Sequence, residues 1–123
     1  MVQLATICYI DNGREFLMLH RNKKPNDVHA GKWIGVGGKL ERGETPQECA
    51  AREILEETGL TIRHPKLVGV KNWHTDEGIR YIVFCYKATE FSGQIHSTEE
   101  GEISWVDKDS LPQLDLAYDM LEL

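Results

Sequence analysis

Three glutamates, Glu53, Glu56 and Glu57, stand close together in the second half of a segment with helical patterning. On a helix that advances about 100° per residue, they fall within one arc of about 100°, beside the apolar stripe. Glu53 and Glu57 form a like-charge i, i+4 pair, and all three acids lie towards the helix C-terminus, where the dipole disfavours negative charge.

An ordinary solvated face is the usual explanation of an acidic helix, but no lysine is interspersed among these acids. A divalent cation explains the cluster better. Ligands that are all oxygen suit Mg²⁺ or Mn²⁺, with water and substrate phosphate filling the remaining positions. The sequence therefore predicts a metal site on this helix.

The helix that positions these acids has clear start and stop signals. Thr45-Pro46-Gln47-Glu48 supplies an N-cap, a proline at the first helical position and a capping-box acid. Gly59 suits the left-handed residue that ends a helix. The predicted helix begins at Pro46 and stops at Gly59. Its apolar face comprises Ala50, Ala51, Ile54 and Leu55.

The remaining elements are predicted to be mainly strands. Asp11-Asn12-Gly13 favours a hairpin between strands at residues 4–10 and 15–21. The glycine-rich stretch at residues 22–39 is predicted to be a long functional loop. Further strands are expected at residues 66–74, 79–88 and 102–106, and helices at residues 109–111 and 114–123.

The composition bounds the possible partners. The chain has 123 residues, with 20 acidic and 14 basic side chains and a net charge of −6. One domain over residues 1–123 is expected at this size. The negative field disfavours non-specific binding to nucleic acid polymers and anionic membranes. Residues 21–39 are nevertheless basic, with Arg21, Lys23, Lys24, Lys32 and Lys39.

Three cysteines, Cys8, Cys49 and Cys85, are scattered without a zinc-binding spacing. Such cysteines are typical of reduced core residues in a cytosolic protein. Residues 2–10 make a poor signal peptide, and no segment approaches the roughly 20 apolar residues of a membrane span. We expect a cytoplasmic protein without a membrane partner.

A longer pattern surrounds the acidic helix. Five residues separate Gly38 from Glu44, and seven more precede the run from Arg52 to Leu60, which reads REILEETGL. This pattern resembles the complete Nudix box, here at residues 38–60. The resemblance implies an α/β Nudix fold, a mixed β-sheet sandwiched between α-helices. It also implies an enzyme that hydrolyses a nucleoside diphosphate linked to another moiety.

The resemblance also implies how the matching residues hold divalent cations. Glu53 and Glu57 would be metal ligands, and Glu56 would be a ligand or a ligand-positioning base. The main-chain carbonyl of Gly37 would be a further metal contact.

Other residues would assist this site. Glu44 and Arg52 would form an ion pair that orients the loop and the helix. Glu100 resembles the additional acid that several members acting on oxidised nucleotides bring from outside the box, and a solvated loop acid is its alternative. The general base stays open among Glu53, Glu56 and Glu100.

The segment at residues 31–39 is similar to the loop that enters the box in MutT-like enzymes, which hydrolyse oxidised purine nucleoside triphosphates. In some of those an Asn that follows the Trp reads the base, whereas Ile34 follows Trp33 here. The candidate substrate contacts are Arg21 and Lys39 for phosphate, Trp73 for stacking on the base, and Asp115 for reading it. A tryptophan within a strand is otherwise a core residue, and a lysine or arginine a plain surface cation.

These features predict a Mg²⁺-dependent pyrophosphohydrolase that cleaves a nucleoside triphosphate to monophosphate and pyrophosphate, with 8-oxo-dGTP as the candidate substrate. One alternative is a Nudix hydrolase acting on a dinucleoside polyphosphate or a nucleotide sugar. The other is a nucleotide-binding sensor without turnover, which the intact set of box acids disfavours. The expected partner is a small nucleotide, and the expected state is a monomer or homodimer.

Overall fold

The computed structural model describes residues 1–20, 33–96 and 101–113, in which nine strands, one α-helix and one 3₁₀ helix occur. The strands are β1 (Val2–Asp11), β2 (Glu15–His20), β3 (Trp33–Ile34), β4 (Val36–Lys39), β5 (Leu60–Arg63), β6 (Lys66–His74), β7 (Arg80–Ala88), β8 (Glu90–Gly93) and β9 (Glu102–Asp107). The α-helix is α1 (Pro46–Thr58), and the 3₁₀ helix follows β9 at Lys108–Gln113.

β1 is the central strand of the main sheet, which has the order β3-β2-β1-β7-β6 with β4 and β9 attached to β1 and β2. It runs parallel to β7 and antiparallel to β2 and β4, so the predicted mixed sheet is confirmed. β4 pairs with residues 5–8 of β1, whereas β2 pairs with Ile10 and Asp11. The neighbour on this edge of β1 therefore changes along its length.

The core lies on both faces of β1. Cys8 and Ile10 pack in the same cluster as Ile54 of α1, whereas Ile7 and Tyr9 belong to a second cluster. Burial of both faces explains why β1 carries an almost continuous apolar run instead of an alternating one. All three cysteines are buried free thiols, as predicted.

The predicted hairpin after β1 is confirmed. The side-chain oxygen of Asn12 accepts hydrogen bonds from the main-chain N–H groups of Arg14 at 3.1 Å and Glu15 at 2.7 Å. Gly13 has φ +104°, a conformation that glycine adopts without strain. β2 starts where the sequence predicts it.

The prediction of one long loop over residues 22–39 is wrong for its last part, because β3 and β4 lie there. The two glycines of β4 made this segment resemble a loop in the sequence. A Cβ at Gly37 would collide with the main-chain oxygen of Thr6 on β1, so the close pairing of β4 with β1 requires glycine. Residues 21–32 lie outside the described residues.

Two short strands and one exposed residue also differ from the prediction. β5 and β8 form a separate two-stranded antiparallel sheet that was not predicted. With four residues each, they are too short for an alternating pattern to stand out. Leu55 is 52 % exposed and does not share the buried face of α1.

α1 has the bounds that its capping signals predict. No helix in the described parts of the chain is long and apolar enough to cross a membrane. The predicted helix at residues 109–111 is part of the 3₁₀ helix Lys108–Gln113. The predicted helix at residues 114–123 lies outside the described residues.

Replacing Gly59 by Ala should destabilise the protein more than replacing Gly78 by Ala. Both glycines have positive φ, +85° and +86°, where an alanine costs about 1 kcal/mol. A Cβ at Gly59 would also collide with the main-chain oxygen of Gln94, whereas Gly78 faces open space. We expect the free energy of unfolding in urea to fall by about 1 kcal/mol for Gly78→Ala and about 3 kcal/mol for Gly59→Ala. Equal losses would contradict this explanation.

Candidate active site

Both ends of α1 are fixed by local contacts. The Thr45 hydroxyl accepts a hydrogen bond from the main-chain N–H of Glu48 at 3.1 Å, and the Glu48 carboxylate accepts one from the N–H of Thr45 at 2.9 Å. At the other end Gly59 adopts the left-handed conformation, and its N–H bonds to the oxygen of Leu55 at 3.0 Å. These caps fix the rotation and the length of the helix that carries the acids.

A cleft of about 570 Å³ lies where β4 and the C-terminal half of α1 meet the sheet. Its acidic part contains Glu53 and Glu57 of α1, beside the glycines of β4. Its apolar part contains side chains of β1, β2, β3 and β7. These apolar residues are Ala5, Ile7, Leu19, Ile34 and Val83.

The three glutamates of the predicted cluster have different surroundings. Glu53 has a side chain only 14 % exposed, and its carboxyl carbon would lie 2.5 Å from a Cβ at Gly38. Glu57 is half-buried, lines the cleft and has one carboxylate oxygen fully buried. Glu56 is 58 % exposed and does not line the cleft. The structure therefore brings two of the three acids into the cleft.

Arg52 binds the loop before α1 through Glu44. Its Nε and Nη2 atoms donate to the two carboxylate oxygens at 2.7 Å and 3.0 Å, a bidentate pair. Hydrogen bonds from Arg52, followed by one from the N–H of Glu41, lower the pKa of Glu44 to about 2. The pKa of Arg52 is raised by the same pair, so this ion pair is fully charged at neutral pH.

Arg52 also reaches β4 and the acidic cluster. Its Nη1 atom donates to Glu53 at 2.6 Å and to Glu56 at 3.2 Å, and Nη2 donates to the main-chain oxygen of Lys39 at 3.1 Å. The sequence analysis paired Arg52 with Glu44 but did not anticipate the short contact with Glu53. One guanidinium therefore links the end of β4, the loop before α1 and two acids of α1.

The donor chemistry of the cleft fits a hard divalent cation. Glu53, Glu57 and the carbonyl of Gly37 offer only oxygen, the ligand that Mg²⁺ and Mn²⁺ prefer. The absence of a side chain at Gly38 leaves the room that the Glu53 carboxylate occupies. In the described part of the chain no three acidic, thiol or imidazole side chains form a ready-made metal cluster. Main-chain, water or phosphate oxygens would have to complete the coordination.

The structure also locates some of the predicted substrate contacts. Lys39 is exposed and lines the cleft. Trp73 lines the cleft and also packs against the core cluster of Ile7 and Tyr9, so the core interpretation is confirmed and its stacking on a base stays a prediction. The predicted site residues that fall outside the described residues are Arg21, Glu100 and Asp115.

Tyr81 is a cleft residue that the sequence analysis missed. It pairs with Trp73 across β6 and β7, and the two rings stack with centroids 5.5 Å apart and an angle of 14° between planes. The predicted strands at residues 66–74 and 79–88 would place Trp73 opposite Arg80. β7 begins one residue later than predicted, at Arg80, and this shift places Trp73 opposite Tyr81.

Replacing Glu44 by Gln should destabilise the protein in a pH-dependent way. The folded-state pKa of Glu44 is about 2, below the ordinary value of 4.5. Ionised Glu44 therefore stabilises the fold above about pH 4.5, and this stabilisation is lost as the pH falls towards 2. We expect urea denaturation to show Glu44→Gln weaker than wild type at pH 7, with the difference shrinking below pH 4.5.

Glu41→Gln is the matched control for this prediction. Glu41 contacts the same Arg52, but at 3.5 Å and with a side chain 66 % exposed. Solvent screening makes such a contact weak, so this variant should unfold like wild type at both pH values. A loss as large as that of Glu44→Gln would contradict the bidentate pair as the source of the effect.

The chain matches a known protein family and several of its members. The NUDIX domain family matches residues 1–123. An oxidized purine nucleoside triphosphate hydrolase of Danio rerio is 33 % identical over 110 residues, which are 89 % of this chain and 68 % of that protein. The uncharacterized Nudix hydrolase YvcI of Bacillus subtilis is 30 % identical over 121 residues, 94 % of this chain and 73 % of that protein.

A solved structure agrees with these sequence matches. The MutT protein of Bacillus halodurans has a TM-score of 0.82 and 33 % identity, covering 94 % of this chain and 75 % of that one. The resemblance seen in residues 38–60 thus extends to the mixed sheet and to the family match over residues 1–123. The chain belongs to the Nudix hydrolase family, in its MutT-like branch.

Proposed function

We propose that this Nudix hydrolase is a Mg²⁺-dependent pyrophosphohydrolase that cleaves a nucleoside triphosphate to monophosphate and pyrophosphate, with oxidised purines such as 8-oxo-dGTP as preferred bases. The observation that carries the proposal is that one cleft contains both a pair of half-buried glutamates, Glu53 and Glu57, and the stacked rings of Trp73 and Tyr81. Carboxylates suit a cation bound to phosphate, and aromatic rings suit a base. The relative from Danio rerio is named for the same class of substrate.

The proposed cation would be held by Glu53, Glu57 and the main-chain oxygen of Gly37, with Glu56 as a further ligand or a base. When bound, the cation would neutralise phosphate charge and activate a water molecule. Arg52 orients Glu53 through the 2.6 Å contact of its Nη1 atom. This contact holds the carboxylate at Gly38 before any ligand arrives.

The substrate's phosphates would be contacted by Lys39 at the rim of the cleft, together with Arg21. Lys39 is exposed, and its main-chain oxygen is fixed by Arg52 at 3.1 Å.

Glu100 would be an additional acid, and Asp115 would read the base. The enzyme would work in the cytoplasm, where its three buried thiols stay reduced.

The base would lie against the apolar part of the cleft. Trp73 stacked on Tyr81 offers a flat aromatic surface, and Ile34 and Val83 add apolar contacts. Ile34 supplies no hydrogen bond at the position where some MutT-like enzymes carry a base-reading Asn. This difference from the MutT-like pattern favours a second candidate function, hydrolysis of a dinucleoside polyphosphate or a nucleotide sugar, over one that depends on reading an oxidised purine.

Replacing Glu57 by Gln should lower kcat/KM by at least about a hundredfold. Loss of a residue that only orients a metal ligand lowers activity by up to about a hundredfold, and loss of the ligand itself should lower it at least as much. Activity would be measured at saturating Mg²⁺, with circular dichroism to check folding. The control is Glu77→Gln, which removes the same charge from the exposed turn between β6 and β7. Near-normal activity of Glu57→Gln would refute the metal site.

A substrate panel tests the proposed specificity. We expect kcat/KM for 8-oxo-dGTP to exceed that for dGTP and dATP at least about tenfold, the range that one pocket contact provides. Dinucleoside tetraphosphates and nucleotide sugars complete the panel, and the released phosphates are identified by chromatography. Pyrophosphate as product supports the triphosphate reaction. Equal rates for oxidised and normal purines would refute the preference, and a faster sugar nucleotide would establish the second candidate.

A further inference from the structure

A buried polar contact lies directly behind the rim of the cleft. The Thr6 hydroxyl of β1 and the Cys49 thiol of α1 are 3.3 Å apart, although 43 residues separate them in the chain. Thr6 is 1 % exposed and Cys49 is fully buried. Neither residue has a part in the chemistry described above.

The thiol has polar neighbours on two strands. Cys49 Sγ donates to the main-chain oxygen of Gly38 at 3.6 Å. Between the sulfur and the Thr6 hydroxyl, either atom can be the donor. Arg52 Nη2 donates to the same sulfur at 3.8 Å. The sulfur therefore connects β1, β4 and the arginine that holds Glu53.

These contacts converge on the segment that frames the acidic part of the cleft. The Glu53 carboxylate packs against Gly38, and Gly37 approaches the main chain of Thr6 too closely for any side chain. A small shift of this segment would move the Gly37 carbonyl and the surface on which Glu53 rests. Displacements of about 1 Å far from the reacting atoms can cost up to about a hundredfold in rate.

We propose that Cys49, held by Thr6, is a positioning residue that sets the Gly37–Gly38 segment and Arg52 relative to α1. The inference rests on the proposed function, because it concerns the placement of the groups that would hold the cation. The thiol acts through main-chain and side-chain neighbours and does not itself line the cleft.

Cys49→Ala tests this placement, with Cys85→Ala as the matched control. Cys85 is equally buried and also donates to a carbonyl, that of Val83 at 3.8 Å, but within its own strand. Two measurements are made on each variant: Mn²⁺ binding without nucleotide, by electron paramagnetic resonance, and kcat and KM with a nucleoside triphosphate. Thermal denaturation in a chelator reports stability.

Both variants remove a sulfur from a fully buried site, so each should lower the free energy of unfolding, and Cys49→Ala somewhat more because it also removes the contact of the buried Thr6 hydroxyl. Only Cys49→Ala should lose about tenfold in Mn²⁺ affinity and in kcat, with KM nearly unchanged, as expected for loss of a supporting group. Cys49→Ser keeps a donor and should restore most of both. Thr6→Val should give a smaller loss that adds little to that of Cys49→Ala, because the two residues act through one contact.

Wild-type Mn²⁺ affinity and kcat in Cys49→Ala would overturn the proposal, and so would equal losses in Cys85→Ala. A wild-type protein that binds Mn²⁺ but cleaves no nucleotide would instead defeat the proposed function. In that case the Mn²⁺ affinities of the two alanine variants still decide whether Cys49 positions the site.

Discussion

The hydrogen bonds of Arg52 are the interaction on which the candidate site depends. Its planar guanidinium reaches Glu44, Glu53 and the main-chain oxygen of Lys39 at once. A lysine has one compact ammonium and could not bridge the three directions. Arg52 is itself placed by α1, which the reciprocal hydrogen bonds of Thr45 and Glu48 fix at its start. The acidic part of the cleft therefore depends on a cap seven residues before the arginine.

The parts of the fold that were predicted correctly are those with local causes. The start of α1 follows from four consecutive residues and its end from Gly59. β4 was missed because a glycine-rich stretch usually indicates a loop. Here Gly37 is required for a different reason, since the main chain of Thr6, which is distant in sequence, leaves no room for a side chain. Leu55 was assigned to the buried face by helical spacing alone, but no described part of the fold covers it and it is 52 % exposed.

In the site, too, the features with local causes were predicted and those that depend on distant contacts were not. Glu53 and Glu57 share the cleft as helical spacing predicts, since residues four apart lie on one side of a helix. Glu56 lies in the same arc of the helix, yet it is 58 % exposed and does not line the cleft, which the spacing alone does not predict. Arg52 links to Glu53 more closely than to Glu56, a side-chain choice that spacing leaves open. The contact of Cys49 with Thr6 has no signal in the sequence, because it joins residues from different layers of the fold.

The distribution of charge decides what the proposed site can receive. Residues 41–57 contain six glutamates against two arginines, and Arg52 is already bound to Glu44 and Glu53. A polyphosphate without a cation would meet like charge at Glu53 and Glu57, whereas a cation between them removes the repulsion. Cation and phosphate should therefore raise each other's affinity by the same factor. The apolar part of the cleft is lined by uncharged side chains, so a base would bind there through stacking and apolar contact and without a direct charge interaction with the cation.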